Sequence, residues 1–298
     1  MKNDRAAGGR PRLQRYWDLR AACNFIGGGT GTGLVIAASV LAMFGKPFVA
    51  PLLTGLVFVA LGLTAILFEI GRPWRALNVF FHPQTSWMTR EGVMALPLFG
   101  FGAVALLLAW FGGYGNADRA LAVFAGLTAC GFLYCQARIL RAAKGIPAWR
   151  DAALTPFILL TGLSEGAGVL ALLAAFGFAP DAVYAAALLL CLLRLIAWQR
   201  YRAGLAHRNA PEASRKALDG IGLAFIGLGH FLAALFLIAA LVWPPISAIA
   251  LVGGVLLTLA GWFSKAVLIT RAAATRGLAI PRTPVRGRGA SRAVAGNR

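Results

Sequence analysis

Residues 48–68 read FVAPLLTGLVFVALGLTAILF, and the chain continues as EIGRPWRALN (69–78) and VFFHPQTSWMTRE (79–91). The first piece carries no charge and is long enough to cross a bilayer core of about 30 Å, which takes roughly 20 residues of helix. A polar island then interrupts the oil. Between Glu69 and Glu91 lie two acids, three arginines, a histidine, two tryptophans, an asparagine and a glutamine. Gly71, Pro73 and Pro83 argue against one continuous helix through it. Thr89 followed by Glu91 predicts the start of the next helix, with the acid in its first turn at the positive dipole end. The island therefore reads as a structured interfacial loop with an acid at each end. A plainer reading is that arginines and tryptophans anchor helix ends at the lipid headgroups. It accounts for the arginines and Trp74. It does not account for Glu69 closing an apolar run, or for His82 at the same interface.

The rest of the chain has the same texture. Of 298 residues, 59% are hydrophobic and 13% charged, against about a quarter charged in a soluble domain. Eight apolar spans are predicted, near 23–44, 48–68, 93–111, 120–137, 153–178, 182–198, 221–243 and 246–263. The fold class expected is all-α and integral to the membrane, with a segment 1–22, an eight-helix domain 23–271 and a basic, disordered tail 272–298. The basic, polar start from Met1 to Arg20 precedes the first span without a small-residue cleavage pattern, so it does not read as a secretory signal. With eight spans both termini share a side, and that side takes 27 of the 29 lysines and arginines, leaving only Lys46 and Arg119 opposite. The positive-inside rule then puts both termini and the island in the cytoplasm of a bacterium, with the chain multi-pass in its inner membrane. The net charge of +19 follows from topology and is no evidence for nucleic acid.

Several chemistries are excluded. Gly27-Gly28-Gly29-Thr30-Gly31-Thr32-Gly33 looks like a phosphate loop, but no strand precedes it and no Gly-Lys-Ser/Thr closes it. Its small-xxx-small spacing lets helix backbones approach in lipid. The four cysteines, Cys23, Cys130, Cys135 and Cys191, form no C-x-x-C, so an iron–sulfur cluster or zinc site is not expected, and all four read as small core residues. Of the three histidines only His230 lies at membrane depth, so a bis-histidine haem is not expected either. The expectation is no metal, haem or iron–sulfur cluster in this chain. Two ionisable groups remain at depth. Glu165 lies ten residues beyond Thr155, about 15 Å down a helix, and His230 lies eleven beyond Asp219, about 16 Å. Such groups are candidates for a proton path; the alternative for each is a neutral side chain hydrogen-bonded for packing. Arg194 is expected to snorkel from the end of its span.

The pattern E-I-G-R-P-x-R-A-L-N, then H-P-x-T-S-W and R-E, resembles the membrane anchors of dimethyl-sulfoxide-reductase-type complexes, within the wider eight-helix quinone-reactive anchor family. The resemblance implies a four-cluster iron–sulfur subunit and a molybdopterin catalytic subunit docked on the cytoplasmic face. It also implies electron exchange with menaquinone or ubiquinone, and no haem in the anchor. Glu91 matches the family's quinone-site glutamate, and Glu69 a position usually held by histidine. The stretch from Tyr16 to Phe25, YWDLRAACNF, looks closer to anchors of the phenylacetyl-CoA:acceptor oxidoreductase branch.

The chemistry of the island agrees. Reducing a quinone takes two electrons and two protons, and an interfacial carboxylate or histidine can relay the protons. Glu91 and His82 are the expected proton carriers. Glu69, Arg72, Arg75, Trp87 and Arg90 join them as expected quinone contacts. Apolar helices alongside would admit the quinone tail from lipid. Two rival readings are a secondary transporter, suggested by Glu165 at the midplane and broken glycine-rich helices, and a purely structural membrane anchor.

Overall fold

The computed structural model describes residues 8–9, 12–70, 73–112, 115–208, 210–243, 248–275 and 278–279, with the backbone alone for 8–9, 70, 73–76 and 278–279. It is a helical bundle with eight spans, among the described residues, long and apolar enough to cross a membrane. They are α1 (Leu19–Met43), α2 (Val49–Ile70), α3 (Trp87–Gly112), α4 (Asn116–Ala142), α5 (Leu154–Ala175), α6 (Val183–His207), α7 (Glu212–Ile226) continued by α8 (Ala233–Val242), and α9 (Ala250–Thr270). A π turn, Gly227–Leu232, joins α7 to α8 and makes them one span.

Several helices outrun the apolar runs that predict them, though α5 stays within its run. α1 begins at Leu19, where the Asp18 carboxylate accepts the Arg20 backbone N–H at 2.7 Å as N-cap. The Arg20 side chain closes back on Asp18 at 2.8 Å and holds that carboxyl below the usual range. α6 continues nine residues past Trp198, and α9 runs to Thr270. Helix ends on the far side close on glycine. Gly45 and Gly177 have φ of 66° and 81°, a left-handed turn that a side chain disfavours. Gly45 N–H reaches Ala42 O at 3.1 Å and Gly177 N–H reaches Ala174 O at 2.8 Å, so carbonyls at both helix ends find donors.

α1 is the hub, packing on α2, α4, α5 and α9. Its glycines make that possible. A Cβ at Gly27 would strike Phe58 O and Gly62 on α2, one at Gly31 would strike Gly55 O, and one at Gly33 would strike Gly162 O on α5. The glycine-rich segment is therefore a packing surface in mid-helix, as its spacing predicts. At the end of the bundle that holds the termini, Trp149, Phe157, Trp198 and Tyr201 pack together. Trp149 Nε1 donates to Leu268 O at 3.1 Å and Tyr201 OH to Ala148 O at 3.0 Å, so neither buried polar tip is left open.

The chain ends meet. Gly8–Gly9 (β1) pairs antiparallel with Leu278–Ala279 (β2), Leu13 bridges Ala274, and Thr275 N–H donates to Arg12 O at 2.8 Å. Ala272, Ala273 and Ala274 are buried. Of the expected tail 272–298, residues 272–275 pack against the N-terminal segment, and 276–277 and 280–298 lie outside the described residues. The cysteines divide. Cys135 and Cys191 are buried, whereas Cys23 and Cys130 are exposed on the outer surface of the bundle, not in the core as expected.

Candidate functional site

The polar island is broken as its glycine and prolines predict. α2 stops at Ile70, Pro73–Phe81 forms a 3-10 helix, and α3 starts at Trp87. Ser86 rather than Thr89 caps α3: its Oγ accepts the Thr89 N–H at 3.3 Å. This puts Glu91 one turn into α3 with its side chain turned inward, 5% exposed.

Glu91 and Glu69 open onto one cavity of about 780 Å³ at the end of the bundle that holds the termini. Its walls are Trp17 just before α1 and the first turns of α1 (Ala21, Asn24, Phe25), the last turns of α2 (Leu63, Ile66, Leu67), the 3-10 helix (Leu77, Val79, Phe80) and α3 from Met88 to Phe99. α3 packs mainly on α4, and the cavity fills the gap it leaves against α2. Phe99 is twelve residues along α3 from Trp87, so the cavity reaches about 18 Å into the bundle. Almost all of the lining is apolar, and the polar groups gather at its inner wall. The side-chain amides of Gln136 and Asn24 face the Glu91 carboxyl. Gln136 is fully buried on α4, and its Nε2 also donates to Asn24 O at 3.1 Å. Gly28 leaves the space for that amide, since a Cβ there would strike it. Three enclosed oxygens on the cavity wall have no hydrogen-bond partner among the described residues: Glu91 Oε1, Glu69 Oε2 and Asn24 Oδ1. Glu69 sits nearer the surface, within electrostatic reach of Asp18 and Arg20, and Arg20 NH1 donates to Phe68 O at 2.9 Å beside it.

Of the other expected contacts, His82, Trp87 and Arg90 do not line this cavity. His82 is exposed, and its carbonyl accepts the Thr85 and Ser86 N–H groups. Arg90 Nε donates to Pro83 O and NH2 to Gln84 O, both at 2.8 Å, while its guanidinium lies 4.2 Å over the Trp87 ring. Arg138 stacks on the same ring at 4.6 Å. Trp87 and Arg90 therefore pin the loop, because a guanidinium placed over indole is satisfied by the ring and the loop carbonyls together. Arg72 and the side chain of Arg75 lie outside the described residues.

A second polar cluster lies deeper. Glu165 on α5 and Lys265 on α9 are both fully buried, and Lys265 Nζ donates to Glu165 Oε2 at 2.7 Å and to Phe25 O at 2.9 Å. Thr30 Oγ1 donates to the same carboxylate oxygen at 2.8 Å and accepts from Trp262 Nε1 at 2.8 Å. Glu165 Oε1 has no partner among the described residues. Gly29 and Gly261 provide the room, since a Cβ on either would meet Lys265 or Glu165. Arg194 does not snorkel. With α6 extended to His207 it stands mid-helix, fully buried, donating to Leu257 O (2.8 Å), Gly229 O (3.1 Å) and His230 Nε2 (3.0 Å). His230 Nδ1 meets Phe225 O at 2.6 Å, so the hydrogen bonds fix the ring as the neutral Nδ1–H tautomer. The π turn around His230 frees the carbonyls that these groups use. Adjacent residues on α9 link the two pairs: Leu257 O takes Arg194, and Thr258 Oγ1 donates to Glu165 O at 3.3 Å.

Four of these residues escape the sequence reading. Lys265 falls just past the eighth apolar run, near 246–263, and is counted with the basic C-terminal side, yet Ala266-Val267-Leu268-Ile269 after it continue the apolar pattern and could have placed it inside the span. Arg194 falls four residues before an apparent span end. Asn24 and Gln136 are amides within apolar runs, which few sequence signals single out. The sequence does find Glu69, Glu91, Glu165 and His230, each an ionisable group beside or within apolar residues.

No curated protein matches the chain in sequence. A family model described as polysulphide reductase, NrfD, matches residues 11–276, which takes in all eight spans, the cavity and the buried ion pair. The chain therefore belongs to the NrfD family, the membrane-anchor family of molybdopterin oxidoreductases.

Proposed function

We propose that this subunit exchanges electrons between a four-cluster iron–sulfur subunit and membrane quinone, and that the cavity between α1, α2 and α3 is the quinone site. The molybdopterin catalytic subunit completes the complex, and both soluble subunits dock at the end that holds the termini, on the cytoplasmic side. The observation that carries this reading is Glu91 Oε1, an enclosed carboxylate oxygen without a partner on the wall of a long apolar cavity. A buried polar atom left open costs about 1–3 kcal/mol, so a ligand with a complementary polar head would relieve it. The reduced, hydroquinone form supplies such a head through its O–H groups, the oxidised form can accept from a protonated Glu91 carboxyl, and both bring an apolar tail for the rest of the cavity; menaquinone and ubiquinone both answer to that description. The residues fit the ligand in polarity, length and depth.

In this reading Glu91 holds the head and can hand over or take up a proton, with the Asn24 and Gln136 amides fixing its carboxyl. Glu69 stands between the cavity and the surface ion pair of Asp18 and Arg20 and can pass protons to water. Phe80, Phe99 and Leu96 exclude water from the tail. His82, Trp87 and Arg90 hold the loop and the docking surface, and Arg72 and Arg75 belong to the same basic rim by sequence. Glu165 remains a candidate for proton movement through its open Oε1. His230, with both ring nitrogens engaged, is assigned to packing. The phenylacetyl-CoA:acceptor oxidoreductase branch is the narrower assignment suggested by residues 16–25, and isolation of the intact complex with its substrate would test it. The family membership stands against the transporter reading, and the cavity against a purely structural anchor.

Glu91→Gln tests the site. In membranes holding the assembled complex, the soluble subunits should still reduce an artificial acceptor. Quinone-linked turnover and sensitivity to a quinone-site inhibitor should fall together, by at least about tenfold for one charge-assisted hydrogen bond. Full quinone activity with unchanged inhibitor sensitivity would place the site elsewhere.

A further inference from the structure

We infer that a second, smaller cavity, at the same end of the bundle as β1 and β2, binds a phosphate group, carried by an acidic lipid headgroup or free in solution. The inference is independent of the quinone reading. The cavity holds about 260 Å³, and Lys144, Arg150, Asp151 and Arg208 are among its lining residues. Its three cations come from three segments: Lys144 from the turn after α4, Arg150 from the 3-10 helix Pro147–Arg150, and Arg208 from the C-cap of α6. Its one carboxylate is already engaged. Asp151 is buried, its Oδ1 accepts the Ala153 N–H at 2.8 Å, and its Oδ2 pairs with Arg208 Nε at 3.3 Å. Gly204 leaves the space for it, since a Cβ there would strike the carboxylate. Asp151 thus holds the Arg208 guanidinium by one edge. The two terminal NH2 groups of Arg208, the Lys144 ammonium and the Arg150 guanidinium have no hydrogen-bond or ion-pair partner among the described residues.

Three cations against one carboxylate leave the lining with a net charge of +2. Other cations on the same joints are matched: Arg141 NH1 donates to Thr155 Oγ1 at 3.5 Å, Arg202 pairs with Asp219, and Lys216 Nζ pairs with Glu212 at 2.7 Å. The positive-inside rule accounts for cations on this side of the membrane. It does not account for three of them around one concavity, with a buried carboxylate fixing one. A phosphate presents several oxygens to such a group, and a guanidinium meets two of them at once. The volume is below the roughly 300 Å³ at which pockets for larger organic ligands begin, so it has room for a headgroup and not for chains. Lys144, Arg150 and Arg208 lie within four residues of the ends of α4, α5 and α6, which is the level of the lipid phosphates. Basic pockets between helices on this side of a membrane take acidic headgroups.

The test uses the full chain in detergent, titrated with dioleoylphosphatidylglycerol, with dioleoylphosphatidylcholine as the zwitterionic comparison, and bound lipid counted by native mass spectrometry. One phosphatidylglycerol should bind in preference to phosphatidylcholine. Lys144→Gln and Arg150→Gln should each weaken it roughly fivefold, the share of one cation near a membrane surface, and the double variant by the product. Both side chains are exposed and without partners, so neither change disturbs the fold. Lys216→Gln, on the same side of the bundle but paired with Glu212, is the control and should leave binding unchanged. A second arm adds inorganic phosphate. Retention of the lipid against millimolar phosphate identifies the headgroup as the ligand, and displacement that depends on Lys144 and Arg150 identifies free phosphate. Equal binding by the double variant and the unaltered chain would overturn the site. An equal loss in Lys216→Gln would also overturn it, because the attraction would then belong to the whole basic surface.

Discussion

At the scale of single residues, the buried ions make the clearest demands. Glu165 and Lys265 are fully enclosed and 2.7 Å apart. Replacing such a pair by apolar residues can be neutral, but removing one partner strands a charge and costs about 3–5 kcal/mol. Lys265→Met should therefore sharply lower the thermal midpoint of the detergent-solubilised chain, and Lys265→Met combined with Glu165→Leu should recover much of the loss. A single variant with an unchanged midpoint would show that the pair is not formed. The same reasoning governs Glu165→Gln as a probe of proton movement. It leaves Lys265 without its anion, so quinone turnover must be taken per assembled complex; a fall on that basis supports a proton role, and wild-type turnover leaves packing alone. These pairs are half legible in sequence. An acid or histidine inside an apolar run declares itself, because nothing but a partner makes it tolerable there. A lysine or arginine near a helix end does not, because a long cation that snorkels looks the same as one that turns inward. Lys265 and Arg194 are hidden for that reason.

At the scale of elements, α1 decides how close the bundle can pack. Gly31 and Gly55 face one another so tightly that a Cβ on either would strike the other's backbone oxygen. Gly31→Val should force α1 and α2 apart and destabilise the fold by roughly 1–3 kcal/mol, the usual cost of overpacking, read as a lowered midpoint and a smaller yield of monodisperse protein. Gly100→Ala on α3 is the control, since nothing lies within 4 Å of a Cβ there; it should leave the midpoint unchanged or raise it slightly. The spans were legible because hydrophobic length is a strong signal. Their ends were less so, because residues 199–207 of α6 and 264–270 of α9 continue as helix after the apolar run stops. The break between α2 and the 3-10 helix that starts at Pro73 was legible from backbone chemistry alone. The division of the island was not: Glu69 and Glu91 turn to the cavity while His82, Trp87 and Arg90 hold the loop, and only the path of the 3-10 helix determines which side chain does which.

At the scale of the whole molecule, the pairing of β1 with β2 and of Leu13 with Ala274 sets these segments, the cavity mouth and the Asp18–Arg20 pair at one end of the bundle. Charge gives that end its expected side. Taking Arg194 and Lys265 out of the count, because they lie within the spans, leaves 25 basic residues on the side of the termini against Lys46 and Arg119 opposite. An imbalance of that size predicts insertion with the basic side inward. Reporter fusions after Arg298 and within residues 82–86 should therefore read cytoplasm, and a fusion beside Lys46 should read the opposite compartment. A periplasmic C-terminus would reverse the molecule. That result would carry a consequence for the chemistry, since Glu69 links the cavity to the surface at the same end as the termini. Protons taken up or released with quinone turnover should exchange with the compartment that the C-terminal fusion reports. In sealed vesicles of known orientation, a pH dye confined to that compartment should respond to quinone turnover, and Glu69→Gln should slow the response more than it slows ligand binding. A response that appears instead on the Lys46 side would mean that protons leave the cavity through the bundle, and would make Glu165 and Lys265 their route.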